Sequence, residues 1–131
     1  MVPTTTSAAR ELCGVLPRIN SRNTVATVRE PCLSVLAIDA VVQVARPLGD
    51  SAAGFVARAV AGSPVIGVTR DPCVSRDMRG RPKSLIVALP ETMAIDAHQL
   101  RILGWYDNEW GFSARMIDGA RPLAAPQEAT R

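Results

Sequence analysis

The chain has 131 residues, 47% of them hydrophobic and 21% charged, a size and balance that predict one globular domain with a real core. A net charge of +3 is too small and too dispersed to imply nucleic acid, and no apolar run is long enough to span a bilayer. Cys13, Cys32 and Cys73 are odd in number and widely spaced, which argues against a disulfide framework; the opening Met1–Thr6 lacks the basic and apolar regions of a secretory signal, so a reducing, cytoplasmic setting is expected.

Taken in chain order, Thr4, Thr5, Thr6 and Ser7 offer caps to a short helix reaching about residue 16, where Pro17 stops it. Residues 25–28 (Val-Ala-Thr-Val) predict a strand broken at Pro31, and the apolar run 34–44 a long strand. Residues 51–61 predict a helix with Phe55, Ala59 and Val60 on its inner face, ended by Gly62. A short strand follows at 65–68, then a polar stretch at 70–83 carrying Asp71-Pro72 and Arg79-Gly80-Arg81-Pro82, which is turn chemistry. Three more strands are predicted at 84–89, 92–95 and 100–106, then a helix from about 109 to 123 and a frayed tail at 126–131. The break at Pro31 is too short for a parallel crossover, so the expected fold is α+β, a mainly antiparallel, mixed sheet with helices on one face, filling residues 1–125.

Much chemistry is missing from the sequence. Its nine glycines include no G-x-G-x-x-G and no Walker-type loop, and there is no C-x-x-C. The single histidine, His98, lies in a predicted turn with no partner ligand nearby, so no metal site is expected. No cysteine sits beside a feature that would lower its pKa, and all three read as small buried hydrophobes. No catalytic residue is assigned.

Two constellations remain. Thr4-Thr5-Thr6-Ser7 open a helix, with Arg29 downstream; free N–H groups, hydroxyls and a guanidinium together suit a phosphate. The alternative is an ordinary cap plus a surface arginine. The second is the run from Gly104 to Phe112, which holds four of the chain's five aromatic residues. It reads as an aromatic strand-to-helix corner with Asn108 as the cap, or as a corner where an amide and a flat ring could meet a planar ligand.

Trp105-Tyr106-Asp107-Asn108-Glu109-Trp110-Gly111-Phe112-Ser113, followed by Arg115 and Asp118, resembles the motif near the C-terminus of glyceraldehyde-3-phosphate dehydrogenases. Pro3-Thr4-Thr5-Thr6-Ser7-Ala8-Ala9-Arg10 is similar to the start of a helix in that family. Val15-Leu16-Pro17, Arg29 with Pro31, and Val74-Ser75 with Asp77 follow in the family's order, so the resemblance runs to about Leu123. It implies a phosphate site at Thr6, Ser7 and Arg29, a nicotinamide carboxamide held by Asn108, and Phe112 where the family usually packs a tyrosine against the nicotinamide of NAD. Phenylalanine there also occurs in the related erythrose-4-phosphate dehydrogenases. Ser7 stands in place of a glycine, and Glu30, in place of a valine, could compete for Arg29.

The family's NAD-binding domain, its Ser-Cys-Thr-Thr-Asn nucleophile and its activating histidine have no counterpart in these residues. The resemblance therefore implies a partial catalytic domain, inactive alone. Its partners would be phosphate or a phosphorylated aldehyde, and a complementary N-terminal chain or further copies of itself. A non-catalytic interaction module is the alternative, with Arg76, Arg79, Arg81 and Lys83 as a binding patch; the plainer reading of that stretch is a solvated loop, since no aromatic residue interleaves the charges.

Overall fold

The computed structural model describes residues 1–19 and 22–124, so the tail expected at 126–131 lies outside the described residues. The chain divides into two compact units, Met1–Leu33 and Ser34–Arg131.

In the first unit, β1 (Val2–Thr4) pairs antiparallel with β2 (Thr27–Arg29), and α1 (Ala8–Val15) lies between them in sequence. The sequence reading missed β1, because its threonines and Pro3 look like capping and turn residues; Pro3 is tolerated because a two-stranded ladder consists only of edges. Ser7 is the N-cap, and its carbonyl accepts from Arg10 and Glu11. A 3-10 turn follows at Pro17–Ile19. Asn23 ties the returning chain to α1, donating to the Ala9 carbonyl at 3.3 Å. None of the described residues of this unit is buried.

The second unit holds the core. Its sheet has the order β3-β6-β5-β4, built from β3 (Leu36–Gln43), β4 (Ile66–Thr69), β5 (Leu85–Ala94) and β6 (Gln99–Tyr106). β3 and β5 each pair antiparallel with β6, and β4 pairs parallel with β5. The fold is thus α+β with a mainly antiparallel, mixed sheet. The two strands flanking Pro31 do not pair with each other, however: β2 belongs to the small sheet, and β3 takes β6 as its only partner among the described residues.

The two strands expected at 84–89 and 92–95 form one strand, β5 (Leu85–Ala94). Pro90 and Glu91 fall where the register with β6 shifts between Ala88 and Met93. There the missing N–H of Pro90 costs no ladder bond, and the buried Thr92 hydroxyl donates to the Ala88 carbonyl at 3.1 Å.

α2 (Ala52–Ala59) is capped by Ser51, whose hydroxyl accepts from the Gly54 N–H at 3.1 Å. It buries Ala52 and Val56 against Val87, Leu89 and Leu100, with Leu48 closing the cluster and Phe55 packed beside it. Ala59, expected on the inner face, is exposed; the buried pair sits at i and i+4 instead. Gly104 of β6 faces this same core, and a Cβ there would come within 2.7 Å of Leu85 Cδ1 and 3.3 Å of Ile38 Cγ2. Its bare backbone leaves room for aliphatic side chains from the two flanking strands, β3 and β5.

A parallel pair needs a long connection. Residues 70–84 supply it with a 3-10 turn at Ser75–Met78 in place of a crossover helix, anchored by the buried Met78. Lys83 Nζ donates to the carbonyls of Ser63 and Pro64, which holds the end of this connection beside the start of β4. The final helix, α3 (Asn108–Ala124), is separated from the end of β6 by Asp107 alone.

Candidate functional site

In the first unit, Thr6 and Ser7 are both exposed at the start of α1. Neither hydroxyl caps the helix as expected of the threonine run: Thr6 Oγ1 accepts from the Ala8 N–H at 3.1 Å, and Ser7 Oγ donates to Glu11 Oε1 at 2.5 Å. Glu11 thus brings a carboxylate to the helix end where an anion would bind. Arg29 is also exposed, and no ion pair engages it among the described residues, so the expected competition from Glu30 is not realised as a contact. The ladder sets Arg29 opposite Val2, at the start of β1, whereas Thr6 and Ser7 follow its end. No hydrogen bond joins Arg29 to either residue.

In the second unit, the corner between β6 and α3 forms a cavity of about 190 Å³ lined by Ser84, Tyr106, Asp107, Asn108, Gly111, Phe112 and Arg115. Sequence reasoning gave the capping role to Asn108. The structure gives it to Asp107, whose carbonyl accepts from Gly111 N–H at 2.9 Å and whose Oδ1 accepts from Trp110 N–H at 3.0 Å. Asn108 is the first helical residue, and its side-chain amide is exposed at the cavity with no hydrogen bond among the described residues. Phe112, one turn on, is 65% exposed.

Asp107 and Arg115 belong to the family-like motif, but the sequence assigns no role to them or to Ser84. Asp107 is only 7% exposed, and its second oxygen accepts from the Gly80 N–H at 2.8 Å. The Gly80 N–H, then that of Trp110, hold its carboxyl below the usual carboxylate range, against the opposing effect of burial. Arg115 donates to Ser84 Oγ at 3.1 Å and pairs with Asp118, so one wall of the cavity is fixed by a contact between α3 and the end of the β4–β5 connection. Gly111 belongs to the same packing: a Cβ there would sit 3.0 Å from the Lys83 carbonyl oxygen. The adjacency of Asp107 and Asn108 was the available signal, but either residue caps well, and only the last strand residue, Tyr106, decides between them.

Residues 1–108 match the family model of the glyceraldehyde 3-phosphate dehydrogenase C-terminal domain. The chain belongs to this family. It is 40% identical over 129 residues to a glyceraldehyde-3-phosphate dehydrogenase of Pseudomonas aeruginosa, covering 98% of this chain and 38% of that protein. A Cereibacter sphaeroides protein of the same name is 37% identical, covering 92% and 37% respectively. Glyceraldehyde-3-phosphate dehydrogenase 3 of a Nostoc species is 33% identical, covering 95% and 38%. The chain therefore spans little more than a third of the length of these relatives. The family match ends at Asn108, so it includes the strand-to-helix corner but not Phe112.

Of the basic residues considered as an interaction patch, Lys83 has its charge directed at two backbone carbonyls, while Arg76, Arg79 and Arg81 are exposed. No group of three or more acidic, His or Cys side chains that could hold a metal occurs among the described residues. No helix of the described residues is long and apolar enough to cross a membrane.

Proposed function

We propose that this chain supplies the phosphate-binding and nicotinamide-contacting part of an NAD-dependent, phosphorylating glyceraldehyde-3-phosphate dehydrogenase. The observation that carries the reading is Asn108. Asp107 caps the helix, and the Asn108 amide, which has no hydrogen bond among the described residues, lines a cavity together with Tyr106 and Phe112. An amide is the natural partner of a carboxamide, since each offers a donor and an acceptor. Those residues fit a nicotinamide, which when bound serves as hydride acceptor. Asn108 would orient its carboxamide and Phe112 would flank the ring, while Thr6, Ser7 and Arg29 would hold inorganic phosphate or the phosphate of an aldehyde substrate.

The chemistry itself needs a thiolate nucleophile, a base and an adenosine site, which these residues do not provide. Alone, the chain should therefore give no aldehyde-dependent reduction of NAD. The outer edge of β3, where Leu36, Ile38 and Val41 are exposed, is the natural place for a complementary upstream polypeptide or another copy to pair. Erythrose 4-phosphate is the second substrate reading, favoured by Phe112 standing where the family usually has tyrosine.

The test is reconstitution. The chain is co-expressed with an upstream dinucleotide-binding polypeptide carrying the nucleophile, and NAD reduction is followed with each aldehyde phosphate. Activity should appear only in the pair. Arg29→Ala should raise the phosphate requirement by about ten- to a hundredfold, the worth of one charge-assisted hydrogen bond. Asn108→Ala should raise the KM for NAD and leave the phosphate dependence alone. Turnover by the chain on its own, abolished by mutating one of its cysteines, would overturn the reading.

A further inference from the structure

We propose that Asp107 is a positioning residue for the carboxamide site, a two-pronged latch that fixes Asn108 by tying the Gly80 backbone to the first turn of α3. The proposal rests on the reading of Asn108 given above.

Capping alone does not account for this side chain. An N-cap needs one acceptor oxygen, and Oδ1 of Asp107 meets that need at Trp110. Oδ2 reaches Gly80, 27 residues earlier in the chain, in the connection between β4 and β5. Capping aspartates normally sit in water, whereas this one is buried. Burying a carboxylate is costly unless charge-assisted bonds satisfy it, and here both oxygens are used.

The anchor at the far side is itself held. Gly80 adopts φ +74°, a conformation that L side chains rarely take, so its N–H is presented by backbone that other residues would strain to form. Two residues earlier, Met78 is buried. Three residues later, Lys83 bonds two carbonyls and its own carbonyl abuts Gly111. The latch therefore joins a fixed loop to the corner where Asn108 begins the helix. An amide that must meet a carboxamide in one orientation gains from a backbone held at both sides of the residue before it.

The side-chain chemistry supplies a clean test. Asparagine caps a helix about as well as aspartate. It has only one acceptor oxygen, however, and its NH2 group cannot accept from the Gly80 N–H. Asp107→Asn therefore keeps the cap and removes the latch, and Asp107→Ser does the same with a shorter group.

Two measurements on the chain read the result. The first needs no ligand: amide hydrogen exchange at Gly80 and Trp110, and the side-chain amide resonances of Asn108. In Asp107→Asn, Gly80 exchange should rise about tenfold or more while Trp110 stays protected and helix content is unchanged. The Asn108 amide signals should broaden or average. Unchanged Gly80 protection and an unchanged Asn108 amide would overturn the proposal whether or not anything binds.

The second is titration with nicotinamide mononucleotide. Asp107→Asn should weaken its binding about tenfold, and Asn108→Ala should abolish the shifts at this corner. Wild-type affinity in Asp107→Asn alongside loss in Asn108→Ala would overturn the latch and keep the carboxamide reading. Wild-type affinity in Asn108→Ala would overturn the carboxamide reading, and the latch with it as a device for that site.

Discussion

The two units of this chain solve the same problem with unequal means. The first, Met1–Leu33, has a two-stranded ladder and an eight-residue helix, no aromatic residue and no buried side chain among those described. The second closes a four-stranded sheet with α2 and buries Leu48, Val56, Val87, Leu89 and Leu100. A ladder of two short strands is marginal in water, whereas three or more strands packed against a helix can hold themselves together. The two proposed ligand sites therefore stand on different ground. The carboxamide corner belongs to a packed unit, and the phosphate residues belong to one whose own contacts stay open to water.

Deleting an equal volume from each unit should separate the two most strongly. Leu100 is 1% exposed at the centre of the core, and Leu12 is 37% exposed on α1. Leu100→Ala should cost about 2–5 kcal/mol, whereas Leu12→Ala should cost under about 1 kcal/mol. Both tryptophans lie in the second unit, so urea unfolding followed by their fluorescence reads that unit, while amide exchange in α1 reads the first. A small loss for Leu100→Ala would mean that the second unit lacks the core described for it.

A second pair of substitutions uses glycines in helices. Gly111 of α3 has the Lys83 backbone oxygen 3.0 Å from where a Cβ would go, while Gly14 of α1 has nothing within 4 Å. Alanine favours a helix over glycine by roughly 0.5–1 kcal/mol. Gly14→Ala should therefore stabilise α1 by about that amount, seen as slower amide exchange there. Gly111→Ala should instead destabilise by about 1–3 kcal/mol, because the neighbour is backbone and cannot swing aside. Equal gains at the two positions would show that α3 does not press on the end of the β4–β5 connection.

How much of this was legible beforehand depended on how local the cause was. Helix α2 could be read because Ser51, Phe55 and Gly62 carry the cap, the apolar stripe and the stop within one window. β5 read as two strands because Pro90 and Glu91 look like an interruption; what joins the halves is pairing with β6 on both sides of the irregularity, which the local sequence does not show. β1 was invisible because three residues with a proline carry no strand period, and β2 supplies the pairing from far along the chain. At the carboxamide corner, the aromatic cluster and Asn108 stood out, but Asp107 did not. Its distinguishing bond is to Gly80, and nothing in the local sequence announces a partner 27 residues away. Likewise nothing in the local sequence singles out Glu11; its contact with Ser7 is what places its charge at the proposed phosphate site.

That contact yields the smallest effect and the most pointed test of the weaker unit. Glu11 favours the α1 dipole and so supports the helix, yet it presents negative charge where phosphate would sit. Glu11→Gln keeps an oxygen that can accept from the Ser7 hydroxyl and removes the charge. Such a charge at a helix end is worth about 0.3–1 kcal/mol, so α1 should lose roughly that much support. Phosphate affinity should move the opposite way, rising about two- to fivefold, as read from amide shifts of Thr6, Ser7 and Ala8 on titration. The two opposed changes come from one charge, and a purely structural role for Glu11 gives only the first. If phosphate binding depends on Arg29 but is indifferent to Glu11→Gln, the anion sits at the Val2 end of the ladder, and Thr6 and Ser7 do not belong to its site.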